Sequence, residues 1–306
     1  MNRKLLKITL TDIRFWILFF FGLRLFGITN APLETGHNWR QSLTNMIARN
    51  FLEIRANMLY PQIDMAGAES GIIGSEFPFF NYLIYIFSYV FGYSHWMGRL
   101  INLIASSVGL YFFYLLVKKL LNKNTAFNAT LILTASIWFA FSRKIMPDTF
   151  SVSLVIIALY FAVSYLQKGS MVNFLLFFVL STLGMLCKIP ALSLFCVLGL
   201  VVLVDGVNFR RKLNLFIGAA ASLLIVCCWY FYWVPFLLDT YHYQLYFPKS
   251  ISIGIHEILP LIPQLLEKFY FSALSSYTAF FCFIAGLFML FKERKKFLLL
   301  GIGIIS

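Results

Sequence analysis

Residues 77–91 read FPFFNYLIYIFSYVF, fifteen positions without a charge. Whether this run crosses a membrane decides the fold, because each crossing moves every later segment to the other side. It stands among longer apolar runs at 13–31, 100–117, 125–141, 150–166, 171–187, 190–207, 215–234 and 271–291. A helix needs ~20 apolar residues to cross a ~30 Å hydrocarbon core, so these eight runs are predicted spans. A ninth run, 297–306, stops after ten residues, too few to cross. The expectation is a single transmembrane domain over 1–306 that forms the N-terminal portion of a longer protein.

Cationic residues settle the reading of 77–91, since cytoplasmic loops of membrane proteins are enriched in Lys and Arg. If 77–91 does not cross, fifteen Lys and Arg lie on the cytoplasmic side and nine outside, with Arg24 inside the membrane. If it does cross, the split becomes ten inside and fourteen outside. The rule therefore favours a non-crossing segment. Residues 32–99 become a first outer loop carrying interfacial helices, and the N-terminus is cytoplasmic. The predicted fold class is an all-α, polytopic integral membrane bundle.

Composition agrees. Of 306 residues, 60% are hydrophobic and 12% charged, with mean hydropathy +0.82. A soluble domain carries about 25% charged residues, so a soluble globular enzyme, a disordered chain and a nucleic-acid-binding domain are excluded. The net charge of +13 sits in short clusters between apolar runs and implies no nucleic-acid partner. The five cysteines lie inside apolar runs without a C-x-x-C or Cys/His cluster, and read as packing residues. The first run lacks a small-x-small cleavage site and reads as a retained anchor.

This topology collects the unusual polar residues on the outer side. Glu34, His37, Trp39, Arg40 and Gln41 form a dense polar run beside the first span. Glu34 or His37 suits a base, and Arg40 offers a planar fork for phosphate oxygens; an interfacial turn with Trp39 as a membrane anchor explains them equally well. Apolar positions Leu43, Met46, Ile47, Phe51, Ile54 and Met58 have helical spacing, predicting an interfacial helix over 41–58. Residues 64–78 hold three glycines and three carboxylates, Asp64, Glu69 and Glu76, and predict a loop. Glu76 stands where water meets lipid, and burial there would raise its pKa toward proton transfer. Arg143 and Lys144 precede Pro147 and Asp148 at a span start, where Asp148 would serve as a helix cap or a base. Lys188 marks another outward span end. Tyr241 and Tyr243 open an aromatic loop able to stack on a sugar or to sit in the interfacial belt.

Taken together, Gly36-His37-Asn38-Trp39-Arg40-Gln41, Ile47-Ala48-Arg49-Asn50-Phe51, Tyr60-Pro61, Glu76-Phe77-Pro78, Trp96-Met97-Gly98-Arg99-Leu100 and Met146-Pro147-Asp148 resemble one family. It is the branch of GT-C membrane glycosyltransferases related to protein O-mannosyltransferases, the lipid A aminoarabinose transferase and rhizobial galacturonosyltransferases. The resemblance implies transfer of a sugar, with inversion, from a polyprenyl-phosphate donor to a lipid, glycan or protein acceptor. Transfer would occur on the outer face of the cytoplasmic membrane. It places catalytic groups in 32–99 and 142–149: Asp148 and Glu76 first, then His37 and Glu34. Relatives carry an acidic pair where this chain has Arg40 and Gln41, and a lysine where it has Phe77. Phosphate neutralisation then falls to Arg40, Arg49, Arg143 or Lys188. Trp39, Gln41, Asp64, Tyr241 and Tyr243 are expected to contact substrate. No cofactor is demanded, although a divalent metal at Asp148 is compatible with the sequence. The rival readings are a flippase for a lipid-linked sugar, which would need ionisable residues within spans, and an inactive remnant.

Overall fold

A computed structural model describes residues 10–31, 37–203, 206–243, 251–268 and 277–293. Glu34 and the apolar run 297–306 lie outside the described residues. The chain divides into two compact units, Met1–Leu194 with Gly206–Gln244, and Phe195–Asp205 with Leu245–Ser306.

In the first unit the described elements are α1 (Ile13–Leu25), α2 (Asn38–Glu53), α3 (Phe79–Phe91), α4 (Met97–Leu120), α5 (Lys123–Thr134), α6 (Ile137–Phe141), α7 (Pro147–Lys168) and α8 (Met171–Cys187). A 3₁₀ helix, Ile189–Leu203, begins in this unit. Then come α9 (Phe209–Cys228), a π turn at Trp229–Trp233 and α10 (Val234–Tyr241). The second unit holds α11 (Ile251–Lys268) and α12 (Tyr277–Glu293). The described residues form no strand beyond an isolated antiparallel bridge between Gln62 and Ile72.

Among the described residues three helices are long and apolar enough to cross a membrane: Met97–Leu120, Pro147–Lys168 and the continuous Phe209–Tyr241. At ~1.5 Å per residue, the 24 residues of α4 reach ~36 Å, enough for the hydrocarbon core. Shorter apolar helices include Phe79–Phe91 and Met171–Cys187. The protein is an all-α membrane protein.

Side-chain contacts fix the helix directions. Along α4, Gly98 faces Ile145, Gly109 faces Ser153, and Lys119 Nζ donates to Ser164 Oγ at 2.5 Å, so α4 and α7 run parallel. Ser151 Oγ donates to Gly184 O at 2.8 Å, which sets α8 antiparallel to α7. Thr182 Oγ1 meets Ser222 Oγ at 2.9 Å, and Gly218 lies against Phe174, so α9 runs with α8. Helix α7 is central: 78% of its most apolar stretch is buried, against 39% in α4. One end of this bundle gathers Arg14, Lys118, Lys119, Lys123, Lys168 and Arg210–Lys212. The other gathers the ends of α1 and α8 and the starts of α4 and α7.

Two expected elements differ. The helix predicted over 41–58 ends at Glu53, and its apolar stripe faces protein: Leu43, Ile47 and Phe51 are buried, with the Phe51 ring 5.5 Å from Tyr82. The run 125–141 is not one helix but two, broken at Ala135 and Ser136. A break exposes carbonyls that lipid cannot satisfy. Arg24 of α1 answers it, donating to Thr134 O at 3.1 Å and Phe139 O at 2.9 Å, with its guanidinium 4.3 Å from the Phe139 ring centroid.

Asn102 fixes the turn before α7. It is fully buried, donates to Lys144 O (2.9 Å) and Met146 O (3.1 Å), and accepts from Thr149 Oγ1 at 2.9 Å. Replacing it strands several buried polar groups, each costing about 1–3 kcal/mol. Asn102→Leu is therefore expected to lower the thermal unfolding midpoint in detergent, through a loss of about 2 kcal/mol or more.

Candidate active site

Arg40 lies in the first turn of α2, after His37 enters the helix with φ of 63°. Its guanidinium Nη2 donates to both Glu76 oxygens at 2.6 Å. Glu76 belongs to a loop clasped from three sides. Trp229 Nε1 donates to Ser75 O at 2.9 Å, and the Phe77 backbone N–H donates to Leu186 O at 3.1 Å. The Phe77 ring stands edge-on to Trp229 at 4.9 Å. At Gly74 a Cβ would come within 2.8 Å of Val234 O, so only glycine lets the loop approach this closely.

Lys188 follows the last residue of α8. Its ammonium donates to Glu76 Oε1 and stands 3.7 Å from Asp148 Oδ1. Asp148 is the second residue of α7. It is not the helix cap, because Met146 occupies that position and no side chain caps this end. Its Oδ2 is buried without a hydrogen-bond partner. The result is a continuous line of charge, Arg40–Glu76–Lys188–Asp148, contributed by four separate stretches of chain. The side chains of Arg40, Lys188 and Glu76 are 18%, 20% and 28% exposed, so the line is partly withdrawn from water. The α7 N-terminus adds its partial positive charge at Asp148.

The other expected residues fall elsewhere. Gln41 is fully buried, and its Oε1 accepts from the Ile145 backbone N–H at 3.1 Å. It thus holds the turn leading to Asp148. Arg49 pairs with Asp64, which also accepts from Asn50 Nδ2 at 2.7 Å. Arg143 lies beside the end of α1, where a Cβ at Gly27 would come 3.5 Å from its guanidinium. His37 packs edge-on against Phe141 at 5.5 Å, and Trp39 is 47% exposed. The Tyr241 ring meets Tyr60, and Tyr243 Oη donates to Met65 O at 3.3 Å, so both secure the segment between α2 and α3.

A divalent metal fits poorly. Among the described residues no three His, Cys, Asp or Glu come together in a metal-holding group. The Lys188 ammonium also occupies the ground between Glu76 and Asp148 that a shared cation would need. Two residues escaped sequence reasoning. Trp229 orients the Glu76 loop, and Tyr230 Oη donates to Leu186 O at 3.0 Å beside Lys188. The signal was the aromatic run 229–233, which sequence reading absorbed into the span 215–234; in the structure it forms a π turn, a distortion common at functional sites.

The Arg40–Glu76 pair is expected to be energetically coupled because it is half-buried and bidentate at one carboxylate. A double-mutant cycle of Arg40→Met and Glu76→Gln, read by chemical unfolding in detergent, should give a coupling energy of about 1–3 kcal/mol.

The family model described as dolichyl-phosphate-mannose-protein mannosyltransferase matches residues 75–233. The match opens next to Glu76, includes Asp148, Lys188 and Trp229, and closes at the end of the π turn. No curated protein matches the chain. A match over more than half of the residues places the chain: it belongs to the dolichyl-phosphate-mannose-protein mannosyltransferase family, membrane glycosyltransferases of the GT-C superfamily.

Proposed function

We propose that this protein transfers a sugar from a polyprenyl-phosphate donor to a lipid, glycan or protein acceptor at the outer face of the cytoplasmic membrane. The observation that carries this reading is the line Arg40–Glu76–Lys188–Asp148 at the end of the bundle opposite its Lys- and Arg-rich end. The basic end is assigned to the cytoplasm by the positive-inside preference. The eight crossings and the outer position of 32–99 belong to the same proposal.

Each residue then has a task. The donor's leaving group is a phosphate ester, already a weak base, so it needs neutralised charge more than a proton. Arg40 and Lys188 supply that charge at the lipid boundary, where a lower dielectric strengthens them. Glu76 holds the two cations in place before the phosphate arrives. Asp148, with one oxygen unpartnered, is the base. The acceptor oxygen or nitrogen attacks the anomeric carbon and gives its proton to Asp148. The bond from that carbon to the phosphate oxygen breaks, and the phosphate leaves with the electron pair. Attack opposite the leaving group inverts the anomeric centre. Gln41, Asn102 and Trp229 act as positioning residues.

The flippase reading would need ionisable residues within spans, and Arg24 is the charged residue that the sequence places in the interior of a predicted span. Arg24 is engaged with the carbonyls of the α5–α6 break, a structural task.

Transfer from a polyprenyl-phosphate sugar, followed by mass spectrometry of membranes holding the full-length protein, tests this assignment. Asp148→Asn is expected to lower turnover by about 10²–10⁴-fold, and Lys188→Met to raise the donor KM. Wild-type transfer by both Asp148→Asn and Glu76→Gln would reject the assignment.

A further inference from the structure

At the bundle end remote from Glu76, a cavity of about 340 Å³ opens between the start of α1, the last turns of α4 and the start of α5. Arg14, Lys118 and Lys123 line it together with Asp12, Tyr111 and Tyr114. Three cations face one carboxylate, an excess of two positive charges. Asp12 is satisfied locally: it caps α1 by accepting from Arg14 N at 2.9 Å, and its Oδ2 accepts from Arg14 Nη2 at 2.6 Å. This partner holds the Asp12 carboxyl below the usual carboxylate range, so it stays ionised and bound to Arg14. Lys118 lies 6.0 Å from the Tyr114 ring centroid, and neither Lys118 nor Lys123 forms an ion pair among the described residues. Apolar surface continues from the cavity. Leu18, one turn along α1 from Arg14, is 68% exposed, and Leu120 and Leu121 follow Lys118 exposed.

We propose that this cavity binds the phosphate headgroup of an anionic phospholipid. Lys118 and Lys123 meet the phosphate oxygens, the tyrosine hydroxyls offer further donors, and the acyl chains run over Leu18 and Leu120. A soluble phosphate would use the cations but not the apolar surface. Basic pockets between membrane helices take such headgroups, with each cation near an anionic surface contributing appreciably. The site is separate from sugar transfer and stands if that reading fails.

Native mass spectrometry of the full chain, titrated with phosphatidylglycerol or phosphatidylcholine, tests it. Wild type is expected to favour phosphatidylglycerol about tenfold, K123Q about threefold, and K118Q/K123Q less than about twofold. Lys118 and Lys123 are both exposed, so circular dichroism should be unchanged in these variants. K168Q/K212Q, at the same end but outside the cavity, should keep the tenfold preference. Full preference in K118Q/K123Q overturns the proposal, as does equal loss in K168Q/K212Q. So does complete displacement of phosphatidylglycerol by millimolar inorganic phosphate, which would make the cavity a site for the soluble ion.

Discussion

The Glu76 carboxylate is the joint on which the candidate site depends. It accepts from Arg40, 36 residues earlier, and from Lys188, 112 residues later. Taking charges partly out of water is costly, and losing one partner leaves the others uncompensated. The arrangement is therefore closed: either cation alone would leave Glu76 half-served, and without Glu76 the cations would repel each other. That requirement seats the segment carrying α2 and α3 on the bundle. The apolar contacts alone, Phe80 and Ile84 against Met97, Ile101 and Phe150, would tolerate sliding. The ion line does not, because hydrogen bonds fix distance and direction.

Much of this was legible residue by residue. Arg40, Glu76, Asp148 and Lys188 each stand out as charges beside apolar runs, where charge is expensive. The all-α membrane fold follows from composition and run length. What sequence does not carry is the pairing. No periodicity links Lys188 to Glu76, since that contact arises only when α8 folds back along α7. The α5–α6 break was hidden for a related reason: Thr134, Ala135 and Ser136 do not forbid helix. Arg24, from another element, makes a break affordable by taking the freed carbonyls. Gln41 and Asn102 were hard to assign because the groups that they hold in the turn before α7 are backbone atoms, which leave no trace in residue type.

Family membership and geometry meet at Phe77. The resemblance led to the expectation of a lysine after the glutamate, and this chain has an aromatic ring there. The ring is used: it stacks edge-on against Trp229 and helps bring the Glu76 loop to the end of α8. That approach delivers Lys188 to the carboxylate. A cation missing from the adjacent position in sequence is thus present in space, carried by a helix end instead of a loop.

Placing Lys188 and Asp148 on helix ends has a mechanical consequence. A site on loops shares their motion, whereas one on packed helices inherits the stiffness of the core. Helix α7 is the most buried of the long helices, and its first turn is pinned by Asn102 to Thr149 and by Gln41 to Ile145. The backbone that carries Asp148 is therefore fixed, with its carboxylate at the far end of the ion line, 3.7 Å from the Lys188 ammonium. That carboxylate keeps one oxygen without a partner. The buried helix thus keeps the two carboxylates distinct: Glu76 is shared by two cations and Asp148 meets one of them, which in the proposed reaction leaves Asp148 to accept the proton.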